Sequence, residues 1–463
     1  MSLLTNILSF LPQVKTPEQK NRPFKEKLKW TLIVLVAFFI LSVIPLYGLG
    51  ENGLARFEQL SIILGASFGS IMSLGIGPIV TASIVLQLLS GSGILKLDLS
   101  SKEGKSTFQG LQKIASIFFI IFEAGVYVFM GGLAPNPALA GTPQYFTFQL
   151  ILIGQLIVGG FLVLFMDEVI NKWGFGSGIS LFIAGGVASE VVIRAFSPLN
   201  SIGQWAFGSG QPPVGAFLVF FTSLLSGAPR EALIAIAAII ATVLVFVVSV
   251  YAQAMKVEIP LSFGRVRGFG VRWPLNFLYT SNIPVILISA LLANVQLASG
   301  LLQNWGLISA TGATELYSWI SGPQLITNLL TGSFVFLDLA RALAYITILA
   351  LGSVIFSIFW VQTAGMDAAS QAKQIRASGL SIAGFRTDER ILEKVLQRYI
   401  FPLTIMGGLF IGVIAATADL LGALSRGTGI LLAVMIIYKL YEDIAKHHMM
   451  DMNPAMKKLM GGS

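Results

Sequence analysis

Ten stretches of mostly apolar residues, each close to the length that crosses a lipid bilayer, recur along this chain and decide what it can fold into. They lie at about residues 30–48, 74–93, 111–132, 146–166, 177–196, 231–251, 275–297, 339–362, 399–417 and 427–446. A helix needs roughly 20 apolar residues to cross about 30 Å of hydrocarbon. Inside that layer every backbone N–H and C=O must find a partner within the protein, which leaves helices as the structure for segments of this kind. Composition agrees, with 55% hydrophobic and 11% charged residues where a soluble chain carries about 25% charge. The expected fold class is an all-α polytopic membrane protein with ten transmembrane helices. Two further apolar pieces, 214–227 and 301–336, are too short or too often interrupted by glycine to span, and read as interfacial.

The basic residues test that count, because they accumulate on the cytoplasmic side of membrane proteins. With the amino terminus placed inside, 25 of the 30 Lys and Arg fall on that side, the ends of spans included; Arg56, Arg194, Arg230, Arg341 and Arg426 fall outside. This asymmetry supports ten spans with both termini cytoplasmic. The first 29 residues carry a basic run and no small-residue cleavage site, so the spans themselves are expected to hold the protein in the membrane.

The second span opens as LGIGPIVTASIVLQLL (74–89), with two glycines and a proline. Sixteen residues reach only about 24 Å, so the span is expected to be broken, with Pro78 in its first turn, where a missing N–H costs nothing. The preceding piece, Leu54 to Phe68, is amphipathic and too short to cross. Broken backbone at membrane depth needs protein or a water-filled cavity beside it. Span 7 repeats the placement of apolar residues and proline as SNIPVILISALL, and span 10 opens as RGTGILLAV much as span 5 opens as GSGISLFIAGG. An offset of five spans inverts topology. The chain therefore reads as two inverted pseudo-symmetric halves of five spans around a central pore, with spans 2, 5, 7 and 10 lining it.

The residues that would line that axis are Ile76 and Val80, spaced i, i+4, Ile179 and Ile183, spaced likewise, and Ile286 and Leu432 at comparable places in spans 7 and 10. All six are aliphatic. An ion channel would present rings of carbonyls or charges here, and an ion-coupled transporter would place acids or unwound polar backbone at mid-depth. Zero cysteines exclude disulfides and thiolate chemistry, the two histidines His447 and His448 sit in a polar tail, and neither GxSxG nor HExxH occurs. No enzyme and no cofactor is expected. A secondary transporter, which also uses inverted repeats and broken helices, is the alternative; the apolarity of the half-helix starts counts against it.

At this point four motifs carry a specific resemblance: GIGPIVTASIVLQLL, YTSNIPVIL (279–287), GFRTDERILEKVLQRYIFPLT (384–404) and GTGILLAV (427–434). The chain resembles the SecY family, the α-subunit of the Sec protein-conducting channel, and is nearer its archaeal and eukaryotic branch. The resemblance covers nearly the whole chain. It implies ten helices in two halves, an hourglass pore sealed by an aliphatic ring and an external plug, and a lateral gate toward lipid between spans 2/3 and 7/8. Matched by motif, the ring falls on Ile76, Val80, Ile179, Ile183, Ile286 and Leu432, and the plug on about 54–68, with Leu54, Phe57, Leu60, Ile63 and Leu64 as its apolar residues. The implied function is to pass unfolded secretory polypeptides across the membrane and to release transmembrane segments sideways into lipid. Implied partners are SecE/γ-type and Secβ-type small membrane subunits, the ribosome, signal peptides and nascent chains, and membrane lipid; the implied location is the cell membrane.

Three polar residues near the gate, Thr81, Glu123 and Asn294, are expected to form a cluster across it, since polar side chains in hydrocarbon seek one another. Arg265 and Arg267 in SFGRVRGFG, and Arg386 in AGFRTDE, sit on glycine-flanked loop tips suited to a polyanion such as ribosomal RNA. The expected organisation is a basic cytoplasmic segment 1–29, a first half 30–200, an external loop 201–230, a second half 231–446 and a cytoplasmic tail 447–463. Cytoplasmic loops at 252–274 and 363–398 belong to the second half. The external segments 197–230 and 298–338 are long for the family.

Overall fold

The computed structural model describes residues 12–17, 23–50, 69–91, 94–95, 102–129, 131–200, 204–207, 211–263, 270–280, 283–304, 309–377, 380–381 and 389–452. Ten helices occupy the ten expected spans. The first half holds α1 (Phe24–Val43), α2 (Gly77–Gly91), α3 (Lys102–Phe129), α4 (Pro143–Trp173) and α5 (Gly178–Phe196). After a short helix, α6 (Ala216–Leu225), the second half begins with α7 (Pro229–Ala254) and continues with α8 (Ile283–Asn304). Two further short helices follow, α9 (Ala310–Ser321) and α10 (Leu325–Thr331). The half closes with α11 (Phe336–Thr363), the short α12 (Ala368–Ala377), α13 (Glu389–Leu420) and α14 (Gly427–Met452). Six of these helices are long and apolar enough to cross a membrane by length and composition alone. The apolar pieces 214–227 and 301–336 form the short helices α6, α9 and α10 rather than spans.

Helices α3, α4 and α13 run well past the segments read from hydropathy, because their polar ends continue the helix beyond the lipid. The same holds for α14, which continues through 446 to Met452. The start of span 7 moves the other way: residues 270–276 are a strand, β2, and the helix begins at Ile283. The loop expected at 252–274 is an antiparallel hairpin of β1 (Lys256–Phe263) and β2 (Gly270–Asn276), with Lys256 opposite Asn276 and Ser262 opposite Gly270. A third strand, β3 (Leu380–Ser381), pairs with the end of β1, so two loops from different helix pairs share one sheet in the order β2-β1-β3.

The break before α2 is built from backbone. Gly69 and Gly75 take φ of 86° and 52°, conformations that side chains with a Cβ rarely adopt. Between them the chain turns back on itself. The Leu46 N–H donates to Gly69 O at 2.8 Å and the Ile71 N–H to Ile44 O at 3.0 Å, while the Ser73 hydroxyl donates to Ser70 O at 2.5 Å. Non-helical backbone thus finds its partners inside the protein, as membrane depth demands. Met72, Ser73, Leu74 and Ile76 are fully buried there. The segment is pressed against α4, where Gly159 leaves room for the Ile71 carbonyl.

The halves meet along two seams. On one, α5 packs on α14; on the other, α2 packs on α8 and α11. Small residues allow close approach in the second half too: a side chain at Gly412 of α13 would strike the backbone of Ala350 in α11 at 2.6 Å. One continuous apolar core runs through both halves. A second core lies under the sheet, built from Ile259, Leu275, Ile375, Leu396 and their neighbours.

Candidate functional site

Helices α2, α5, α8 and α14, the four expected to line the axis, converge on a cavity of about 500 Å³. Its wall takes Val80, Ser83 and Gln87 from α2, Ile179 and Ser180 from α5, Ile286 and Leu287 from α8, and Ile436, Lys439 and Asp443 from α14, with Trp360 of α11 alongside. Lys256 of β1 pairs with Glu442 of α14 at 3.3 Å, so the cavity lies toward the end of the molecule that carries the sheet. The six aliphatic residues all belong to the same apolar core. Val80, Ile179 and Ile286 reach the cavity wall. Ile76 and Ile183 are 1% exposed and Leu432 is 4% exposed. Apolar branched side chains such as these offer a hydrated ion no ligands in exchange for its water.

The seam between α2 and α8 carries polar contacts. The Asn294 Nδ2 of α8 donates to the Thr81 Oγ1 of α2 at 3.1 Å, and Thr81 Oγ1 lies 3.0 Å from the Glu123 Oε1 of α3. Thr81 also reaches Gly77 O of its own helix at 2.9 Å. The three residues singled out in the sequence are therefore joined, and Thr81 is the bridge: no direct bond links Asn294 to Glu123 among the described contacts. Nearer the cavity, Gln87 donates to Ser83 at 3.1 Å, and its buried carbonyl oxygen finds no partner among the described residues.

The plug residues Leu54, Phe57, Leu60, Ile63 and Leu64 and the basic tips Arg265, Arg267 and Arg386 lie outside the described residues. The strands leading to both tips end together, since Phe263 pairs with Leu380 and Ser262 with both Gly270 and Ser381.

Several constructions escaped the sequence reading. Residues 12–17 are strapped across α3 and the end of α4: Lys113 donates to Pro12 O at 2.6 Å and pairs with Glu168, Lys172 donates to Val14 O at 2.6 Å, and the Val14 N–H donates to Glu168 at 3.1 Å. Only the i, i+4 pair of Glu168 and Lys172, 3.0 Å apart, was visible in the sequence. Asp167 and Asp419 are the others. They sit near the ends of α4 and α13, and each carboxylate turns onto the start of the next helix.

Comparison with known proteins follows the same outline. The protein-family profile described as SecY matches residues 70–441, and one described as the plug domain of Sec61p matches residues 36–69. Protein translocase subunit SecY of Methanothermobacter thermautotrophicus is 44% identical over 465 residues, covering 98% of each chain. A solved structure of a protein-conducting channel aligns with a TM-score of 0.82 and 39% identity, over 98% of this chain and 99% of that one. Sec61 in the canine ribosome–channel complex from the endoplasmic reticulum aligns with a TM-score of 0.79 and 38% identity, over 98% and 99%.

Proposed function

The chain belongs to the SecY family, and on that premise we propose how its geometry serves the family's task. It is the central pore-forming subunit of a protein translocation channel, a multi-pass membrane protein and not an enzyme. It passes unfolded polypeptides across the membrane and releases transmembrane segments sideways into lipid. The observation that supports the mechanism is the convergence of α2, α5, α8 and α14, two helices from each half, on one cavity whose wall includes the aliphatic Val80, Ile179 and Ile286. A translocating polypeptide has no fixed chemistry, and a compliant apolar collar makes no demand on it. Branched side chains change rotamer around a passing chain and close behind it, so the same atoms seal and admit. A secondary transporter would need a polar pocket at that depth, and the six aliphatic residues supply none.

The finer assignments are these. Ile76, Val80, Ile179, Ile183, Ile286 and Leu432 form the pore ring, and the segment around Leu54, Phe57, Leu60, Ile63 and Leu64 is the plug. Thr81, Glu123 and Asn294 latch the lateral gate, because their bonds cross the seam where the halves part. Arg265, Arg267 and Arg386 dock a translating ribosome, a role supported by the shared sheet, in which the strands leading to both loops end together. Both termini face the cytoplasm of a cell membrane, and small SecE/γ-type and Secβ-type subunits complete the complex. The regions proposed above, with halves at 30–200 and 231–446, follow the repeat.

The test is a reconstitution with purified ribosome–nascent chains bearing a photo-crosslinker at successive positions. Adducts to the six ring residues are expected from a chain arrested in transit. Adducts confined to the exposed outer residues of α4, such as Val158, would overturn the assignment of the path.

A further inference from the structure

The repeated motif that opens span 5 as GSGIS and span 10 as GTGIL has a physical reason that the pore ring alone does not supply. In the first half, Asp167 near the end of α4 accepts the Ile179 N–H at 2.9 Å on Oδ1, and its Oδ2 accepts the Asn171 side-chain amide at 3.0 Å. In the second half, Asp419 at the end of α13 accepts the Gly427 N–H at 2.6 Å on Oδ1, and its Oδ2 accepts the Tyr345 hydroxyl at 2.5 Å. The wiring is alike though shifted along the motif, the backbone donor being the fourth residue of GSGIS and the first of GTGIL: one oxygen holds the first turn of a pore helix, and the other is held by a side-chain donor. A glycine makes room for each, the third residue of the motif in α5 and the first in α14. A Cβ at Gly178 would lie 2.6 Å from the Asp167 Cα, and one at Gly427 would lie 2.0 Å from the Ala418 Cβ, so both helices start closer to the preceding one than any other residue allows.

We infer that Asp167 and Asp419 are a repeat-related pair of positioning residues that set the start of α5 and α14, and thereby the height at which their ring residues meet. The inference rests on reading the six aliphatic residues as the constriction. Ile179 is both a ring residue and the donor to Asp167; Leu432 follows Gly427 by little more than one turn. A free helix start carries orphan N–H groups and frays. A carboxylate there both satisfies a donor and meets the positive end of the helix dipole. Because the repeat is inverted, the two clamps act from opposite sides of the membrane, one near the sheet-bearing end and one near the external turn. A collar assembled from helices pinned at opposite ends stays level when either half tilts.

The experiment compares Asp167→Ala, Asp419→Ala, their Asn counterparts, Gly427→Ala and Ile183→Asn in the full chain reconstituted into vesicles. Two quantities are read, resting ion conductance and amide hydrogen exchange in peptides covering 178–183 and 427–432. Loss of a hydrogen bond to a charged acceptor should speed exchange of the affected amide by about tenfold or more. The Ala variants are expected to show that acceleration locally and to leak ions as Ile183→Asn does, while the Asn variants, which keep an acceptor oxygen in place, stay near the parent. Gly427→Ala should leak with its carboxylate intact. If Ile183→Asn leaks and the Ala variants remain ion-tight, or if their exchange rises evenly over the whole chain, the positioning role is overturned by itself. If Ile183→Asn is as tight as the parent, the ring assignment fails and takes the inference with it.

Discussion

Gly159 and Gly154 lie five residues apart on α4, and replacing each by alanine should move stability in opposite directions. A Cβ at Gly159 would fall 1.9 Å from the Ile71 carbonyl oxygen and 2.9 Å from its carbon; one at Gly154 meets nothing within 4 Å. Ordinary contact begins at 3.4 Å, so Gly159→Ala is about 1.5 Å short of room against backbone. That backbone cannot yield freely, because the Ile71 N–H is bonded to Ile44 O and its neighbours Ser70 and Met72 are buried. Overpacking of this kind costs about 1–3 kcal/mol, against a gain of about 0.5–1 kcal/mol for alanine over glycine inside a helix. Gly154→Ala collects the gain alone and is expected to raise resistance to unfolding; Gly159→Ala should lower it. The displaced segment also carries Met72 to Ile76, so Gly159→Ala should leak ions at rest. Denaturant titration of both proteins in the same micelles, with vesicle conductance alongside, decides the matter. Equal shifts of the same sign would refute the claim that the break before α2 is fixed by that contact.

Ile286→Asn and Ile183→Asn should raise resting conductance and relax the signal requirement, whereas Val158→Asn on the exposed face of α4 should leave conductance unchanged; planar-bilayer recording of the three separates a constriction from a general polar defect. Apolar replacement of Thr81 and Asn294 should shift the signal hydrophobicity needed for insertion, each contact contributing about 0.6–2 kcal/mol. Because Thr81 bridges the other two residues, Asn294→Leu should add little once Thr81→Val is present, and strictly additive shifts in an insertion assay would count against the latch. Charge reversal at Arg265, Arg267 or Arg386 should weaken ribosome binding and flatten its dependence on salt, which binding curves at several ionic strengths will show or deny.

What was legible in the sequence was whatever the membrane itself enforces. Hydrocarbon thickness set the number of the spans and their approximate places, and the glycine-proline opening at Gly77 and Pro78 marked where α2 begins. Thr81, Glu123 and Asn294 were readable as partners because isolated polar groups in lipid have few choices. The hairpin of β1 and β2 was hidden by Pro260 and Pro274, which argue against a strand, and by the apolar residues Leu275, Phe277 and Leu278, which lie close enough to the following helix to be read with it. Asp167 and Asp419 read as ordinary acids at the end of a span, since the amides they hold come close only when the next helix folds back. The strap at 12–17 is held across more than a hundred residues by Lys113 and Glu168, and local patterning carries no trace of such a contact.

The shared sheet has a mechanical consequence. Strand β2 ends at Asn276 and α8 begins at Ile283, and the turn between them is tied down at its root by the Phe277 N–H, which donates to Met255 O at 2.9 Å. On its other side the sheet is fastened to α14 through Lys256 and Glu442. The sheet is thus joined directly in sequence to α8, the helix that bears both Ile286 and Asn294, and is bonded at its base through Phe277 and Met255. If the halves part at that seam, as proposed, the sheet is a lever on it, and traction on its strands is felt at the gate before it is felt anywhere else along α8.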